Sequence, residues 1–397
     1  MPVTPGKITE ETTSLPPLDQ ESRDLLRAIA QPPDHNNTEQ IDRLARSVGN
    51  WDSLVSVARE HRVLPLAFSR LTAAGAQLPR ETMALLKGAY DHNAFHCMSN
   101  ASELISILRA FEVERISAMP FKGIVLAATI YPDPVARYSG DLDLLVDRQN
   151  LLRATSILLG TGYDLKTPVR EDGSPALSNS YEYHLERPSD GRVVELRWRL
   201  ELTQPRYRRN IGMPWVWPRR QTANIAGFEV PNMDPETTLL VLCMHGSKHV
   251  WSRLLWISDV SHLLARFPNL DWQFSIRRAR KAGLWRALAL GVLLANRVCN
   301  TNVPPAVLRQ FEADGGAIML ATSIEANLFD NPGELPKSRI PYNVKLLGLQ
   351  DRLRLLLSLN VLRPNERDIN FIRLPKPLYP LYVFVRPFRM LRDKSAR

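Results

Sequence analysis

The chain has 397 residues, 44% of them hydrophobic, and a formal net charge of +10. That is enough apolar content for two or three packed units, and the charge favours an anionic partner: a nucleotide, a nucleic acid or a membrane surface. Its three scattered cysteines, Cys97, Cys243 and Cys299, exclude a disulfide framework and a cysteine-based metal site, and they fit a reducing cytoplasm.

Residues 1–19, rich in Thr, Pro and Glu, read as a disordered leader without a targeting core. No apolar run approaches the ~20 residues needed to cross a bilayer. From 20 to 115 the pattern is helical. Asp52 is placed to cap a segment running to Leu64 with Leu54, Val55, Val57 and Ala58 as its apolar stripe, and Met83 to Leu108 continues at helical period. This N-terminal helical region shows no evident chemistry and is expected to pack and position.

The texture changes at residue 116. Ala118 to Phe121 reads as a strand, Gly123 to Tyr131 as a helix, and Asp141 to Val146 as a second strand. Leu151 to Leu159 is a helix ended by Gly160 and Gly162. Tyr181 to Glu186 and Arg192 to Leu200 read as strands around the turn signal Asp190-Gly191. The expected fold class is α+β: a small mixed sheet over 116–232 with helices on one side. Asp234-Pro235-Glu236 opens a C-terminal helical domain over 233–370, with helices expected at Leu239 to Val250, Leu254 to Phe267, Trp272 to Ala282 and Leu284 to Val298. Residues 371–397 form a basic tail punctuated by prolines.

The chemistry concentrates in three places. In a strand side chains alternate, so Asp141 and Asp143 share one face while Leu142, Leu144 and Val146 point to a core. Two like charges side by side call for a cation between them, and hard carboxylate oxygens suit Mg²⁺ or Mn²⁺. Taken alone, Asp-x-Asp is a weak signal and reads more readily as a solvated strand start. Upstream, Lys122-Gly123 ends a strand and opens a helix, which turns backbone N–H groups, a positive dipole end and an ammonium toward one space, a place for phosphate. The plain alternative is a strand–helix turn that needs glycine for its geometry. Downstream, Val194, Leu196, Trp198 and Leu200 alternate with Glu195, Arg197 and Arg199. Set beside the Asp141 strand, Glu195 would complete a three-carboxylate cluster; otherwise it is a surface ion pair.

In this order the pieces resemble the nucleotidyltransferase superfamily that includes polymerase β. More narrowly, they resemble a bacterial nucleotidyltransferase family whose members occur beside polysaccharide and peptide-product biosynthesis genes. The resembling residues are Phe121-Lys122-Gly123, Tyr131, Arg137, Asp141 to Val146, Gly162-Tyr163, His184 and Val194 to Trp198. In the helical half they are His245-Gly246, His249, Trp251, Arg253-Leu254, Trp256 and Asp259. The likeness runs from about Trp51 to about Pro387. Two departures stand out. Gly123 lies farther from the acidic pair than is common, which suggests an excursion of Tyr131 to Tyr138 over the site. Arg197 stands where the family tends to carry His.

The resemblance implies Mg²⁺-dependent (or Mn²⁺-dependent) transfer of a nucleoside monophosphate from an NTP to a hydroxyl or phosphate of a small-molecule, sugar or peptide acceptor. Asp141, Asp143 and Glu195 would be the catalytic carboxylates and hold two metal ions. Lys122, Gly123, Arg137, Ser139, Gly140 and Arg197 would serve the nucleotide, and His184, His245 and His249 are candidates for the acceptor cleft. Two alternatives are a metal-dependent glycosyltransferase using a sugar nucleotide and a non-catalytic nucleotide-binding scaffold.

Other features have bland readings beside functional ones. His245 and His249, four apart, could share a metal with Asp259, but the neighbouring Trp251, Leu254 and Trp256 suggest packing. Nine arginines fall between Arg187 and Arg220 against three acids, with Tyr207, Trp215 and Trp217 interleaved. Without a recognised RNA-binding signature they suit a nucleotide's phosphates or solvent, and nucleic acid is not the expected partner. The tail, with seven basic residues against Asp393, is read as a strap across the helical domain or a peripheral contact with an anionic membrane. The expected location is the cytoplasm.

Overall fold

The computed structural model describes residues 18–169, 181–200 and 211–330, with 342, 345–346, 371–372, 374–382 and 385. Five helices come first: α1 (Gln20–Ala30), α2 (His35–Ala45), α3 (Trp51–Glu60), α4 (Leu64–Ala73) and the 34-residue α5 (Arg80–Val113). Side-chain oxygens of Asp19, Asp34 and Asn50 accept the backbone N–H groups of Ser22, Asn37 and Ser53, which satisfies orphan donors at the starts of α1, α2 and α3. The cap of α3 is thus Asn50, and Asp52 lies inside the first turn, where its charge suits the dipole. Leu18 is buried and Asp19 is a cap, so the end of the expected leader belongs to the first helix. The rest of that leader lies outside the described residues.

The mixed α+β architecture follows. Strand β1 (Ala118–Phe121) leads through α6 (Gly123–Ile130) to β2 (Leu142–Val146), then α7 (Leu151–Gly160), the short β3 (Asp164–Leu165), β4 (Glu182–Arg187) and β5 (Arg192–Arg197). The sheet order is β1-β2-β5-β4-β3, with β2 and β5 parallel and the other pairs antiparallel. Both faces are covered, not one. Leu142, Leu144 and Val146 pack with residues of α5 and α7 in one core, while Met119, Phe121 and Leu145 join a second core built mainly from helices.

A helical turn α8 (Met213–Val216) precedes a hairpin that the hydrophobic pattern did not announce, β6 (Gln221–Ile225) and β7 (Phe228–Asn232). Its turn places Ala226 and Gly227 at φ +50° and +88°, the geometry of a tight hairpin loop. The helices α9 (Pro235–Lys248), α10 (Leu254–Arg266), α11 (Trp272–Ala282), α12 (Trp285–Cys299), α13 (Pro305–Glu312) and α14 (Gly315–Asn327) complete the described fold. Among the described residues no helix is long and apolar enough to cross a membrane. Most of the basic tail lies outside the described residues. Within it Tyr382 is buried and its hydroxyl donates to Ile372 O at 2.6 Å.

Candidate active site

The parallel pairing of β2 with β5 sets Asp143 opposite Glu195, and β4 places His184 opposite Glu195 in turn. Register partners point to the same sheet face, so a row Phe121, Asp143, Glu195, His184 crosses four strands on the side of the helical core. Asp141, two residues before Asp143, enters this row from the end of β2. Two cations lie among the carboxylates. Lys122 Nζ is 3.3 Å and Arg197 Nε 3.2 Å from Asp143 Oδ1, and Arg197 also pairs with Glu195 and with Glu182 on β4.

Electrostatics follow from burial. Desolvation pushes the Asp143 carboxyl up, Lys122 and Arg197 oppose it, and Glu195 reinforces it. Asp141 is likewise pushed up by burial and by Asp143, against Arg62, His184 and Lys122. Burial pushes the Lys122 ammonium down, with Asp143 as the main opposing charge. Burial works against the Arg197 cation too, but Asp143, Glu195 and Glu182 outweigh it and raise its pKa.

The loops carrying these groups are held in mutual contact. Lys122 and Gly123 both adopt positive φ, +60° and +43°, and a Cβ at Gly123 would come within 3.3 Å of Asp141 O. Glycine therefore serves both the turn and the close approach of the Ser139 to Asp141 segment. The Ser139 hydroxyl, in a residue only 3% exposed, has no hydrogen-bond partner among the described residues. The Gly140 carbonyl accepts from Asn100 Nδ2 at 2.7 Å.

Arg137 does not stand ready for phosphate. Its Nε and Nη2 donate to Asp259 Oδ1 and Oδ2 at 2.7 and 2.8 Å, and its Nη1 donates to Gly123 O and Tyr138 O at 3.2 and 3.0 Å. Tyr131 also donates to Asp259, at 2.9 Å. This buried pair clasps the Lys122-Gly123 turn, the Tyr138 segment and α10 together. It also removes Asp259 as a ligand partner for His245 and His249. The expected excursion over the site is absent, because the Tyr131 to Tyr138 segment packs against α4, α5 and α6, where Asp133 accepts from Ser69 and Tyr90.

At the end of α9, His245 lies within electrostatic reach of Lys122, Arg197 and Lys248. Burial first and those cations next push its pKa far down, so the ring is neutral. The His245 and His249 rings pack on Trp256 with centroids 5.4 and 5.2 Å away. Asp141 opens instead on a cleft of about 720 Å³ lined by the α3–α4 connection, α5 and the β4–β5 turn, and none of His184, His245 and His249 lines it. Arg59, Arg62 and Arg253 do. Sequence reasoning gave these three no role at the site: Arg59 and Arg62 belong to no motif, and Arg253, which entered only through the family likeness, lies far from them along the chain.

Among the described residues no three His, Cys, Asp or Glu side chains are gathered into a ready metal cage, since Lys122 and Arg197 stand between the carboxylates. The donor set nevertheless suits a hard divalent ion. Asp141, Asp143 and Glu195 offer only carboxylate oxygens, on one sheet face and two adjacent strands, and burial leaves Asp143 in need of positive charge.

Of the arginine stripe, Arg187 and Arg192 are held by Glu103 and Asp190, and residues 201–210 lie outside the described residues. In comparison with known proteins, no curated protein matches the chain, whereas the family model described as uncharacterised nucleotidyltransferase matches residues 47–300. That span holds the whole carboxylate row, the Lys122-Gly123 turn and the Arg137–Asp259 clasp, and the chain belongs to this nucleotidyltransferase family.

Proposed function

We propose that the chain moves a nucleoside monophosphate from an NTP to a hydroxyl or phosphate oxygen of a small-molecule, sugar or peptide acceptor, with Mg²⁺ or Mn²⁺ as cofactor. The observation that carries this reading is the register of Asp143 against Glu195, with Asp141 on the same strand and Lys122 reaching Asp143. A solvated strand start has no need of a third carboxylate in register on the adjacent strand, nor of a lysine strained at positive φ beside it.

Asp141, Asp143 and Glu195 would hold the divalent ions. Two ions, when bound, would favour the attacking oxygen and stabilise the leaving pyrophosphate. Lys122 and the first N–H groups of α6 face the polyphosphate, and the buried Ser139 hydroxyl adds a donor beside them. Glu195 accepts the proton of the acceptor hydroxyl. Arg197 steadies Glu195 and Asp143 in one row, and Arg137 acts through its clasp as a positioning residue for the two loops.

Incubation with α-labelled NTPs, Mg²⁺ and candidate acceptors tests the reading. Label transfer with release of pyrophosphate is expected. In Asp143→Asn the rate should fall by about a thousandfold, on the scale of losing one strong electrostatic contribution. Nucleoside diphosphate release from a sugar nucleotide would point to glycosyl transfer, and tight NTP binding with no turnover on any acceptor would point to a scaffold. Either result overturns the proposal.

A further inference from the structure

The cleft that opens on Asp141 is lined by four arginines against Glu60, Asp141 and Asp190, more positive charge than its own carboxylates balance. Arg59, Arg62 and Arg253 line it, and none of the three forms an ion pair among the described residues. Arg192, in the same cleft, is by contrast held by Glu103 and Asp190. Arg253 is half-buried and its Nε lacks a hydrogen-bond partner among the described residues. Burial and the nearby Arg62 charge both disfavour its charged form, while Glu60 and Tyr138 act in the other direction.

These guanidiniums are not left to spread into solvent. Arg62 is held at φ +58° with its guanidinium 4.9 Å from the centre of the Tyr138 ring, and Arg253 lies 5.6 Å from that of Trp256. Like charges fixed side by side repel unless an anion joins them. Lys122, Gly123 and Arg197 do not line the cleft, so its cations are a set separate from those proposed for the NTP.

Resting on the nucleotidyltransferase reading, we propose that this cleft seats the acceptor, and that the acceptor carries a phosphate group held by Arg59, Arg62 and Arg253. The rings of His92, Phe95 and His96 on α5 form the wall for the body of that molecule. A second oxygen of the acceptor attacks the NTP α-phosphorus. The new P–O bond forms as the bond to the oxygen bridging to the β-phosphorus breaks, pyrophosphate leaves with that electron pair, and the acceptor's proton passes to Glu195.

Isothermal titration of the full chain tests this with two probes: Mg²⁺ with α,β-methylene-ATP, and then inorganic phosphate added once the nucleotide site is saturated. Phosphate should still bind. Arg62→Ala and Arg253→Ala should each weaken it by about tenfold or more, the scale of a lost charged hydrogen bond, and leave nucleotide affinity within about twofold. Arg59 and Arg62 are exposed, so Arg59→Ala and Arg62→Ala carry the test should Arg253→Ala fail to fold. Phosphate that competes with nucleotide, or variants that weaken nucleotide, would assign the arginines to the NTP and overturn the proposal. Absence of phosphate binding, or binding unchanged in the variants, would overturn it too. Phosphate binding that depends on the arginines in a chain that binds no nucleotide would overturn the nucleotidyltransferase reading instead.

Discussion

Asp143 is the residue on which the site's charge balance turns. Its carboxylate is nearly buried and touches two cations, Lys122 and Arg197. Arg197 in turn holds Glu195 and Glu182, with its side chain only 9% exposed. Removing one partner of a buried charge network leaves the others uncompensated, at a cost of about 3–5 kcal/mol. Arg197→Ala should therefore lower stability on that scale in urea unfolding. Mg²⁺ or Mn²⁺ should then restore more of its melting temperature than it adds to the unaltered chain, because the bared carboxylates regain a cation. Which way these side chains point was legible in the sequence, since period-two alternation sets Asp141 with Asp143 and Glu195 with Arg197. The role of Arg137 was not. Its partner Asp259 lies 122 residues away, and no local pattern says that a distant carboxylate takes up the guanidinium.

Among the elements, α9 shows how packing delivers a side chain to the site. After Lys248 the chain reverses through Val250 and Trp251, both at positive φ. This tucks the fully buried Trp251 ring back against Gly246 and against Gly291 of α12. A Cβ at Gly246 would lie 2.5 Å from that ring. Gly246→Ala should cost about 1–3 kcal/mol, the usual scale of overpacking, readable in thermal or urea melts. It should also displace the neighbouring His245 and His249 from Trp256, which a change in tryptophan fluorescence would report. Most helices and the four longer strands of the main sheet were readable from periodicity and caps. The β6–β7 hairpin was not, because its exposed strands bear little apolar alternation and only the Ala226-Gly227 turn marks it.

Across the whole molecule, the N-terminal helices, one face of the sheet and the C-terminal helices share a single apolar core. Two buried histidines sit in that shared region. His61 Nδ1 accepts the Leu254 N–H at 3.0 Å, which joins the α3–α4 connection to α10, and His262 stacks on Tyr131 with ring centroids 4.1 Å apart. Burial, with Arg253 beside His61, pushes both pKa values down to about 3 from 6.5. The unfolded chain binds these protons below about pH 6.5 and the folded chain does not, so stability is full above that pH and falls as pH drops toward about 3. Each histidine should account for about 2 kcal/mol lost by pH 5. Melting temperatures measured from pH 7.5 to 5 check this, and His262→Gln should flatten the slope. By itself the sequence determined the α+β class, most element positions and the faces on which the three carboxylates stand, because these depend on spacing along a few residues. Only the tertiary structure decided that β2 pairs with β5 so that Asp143 meets Glu195, that Arg137 is given to Asp259, and that three arginines from separate elements, without an ion pair among the described residues, border one cleft. Those are contacts between distant segments, set by which surfaces bury together, and no local pattern encodes them.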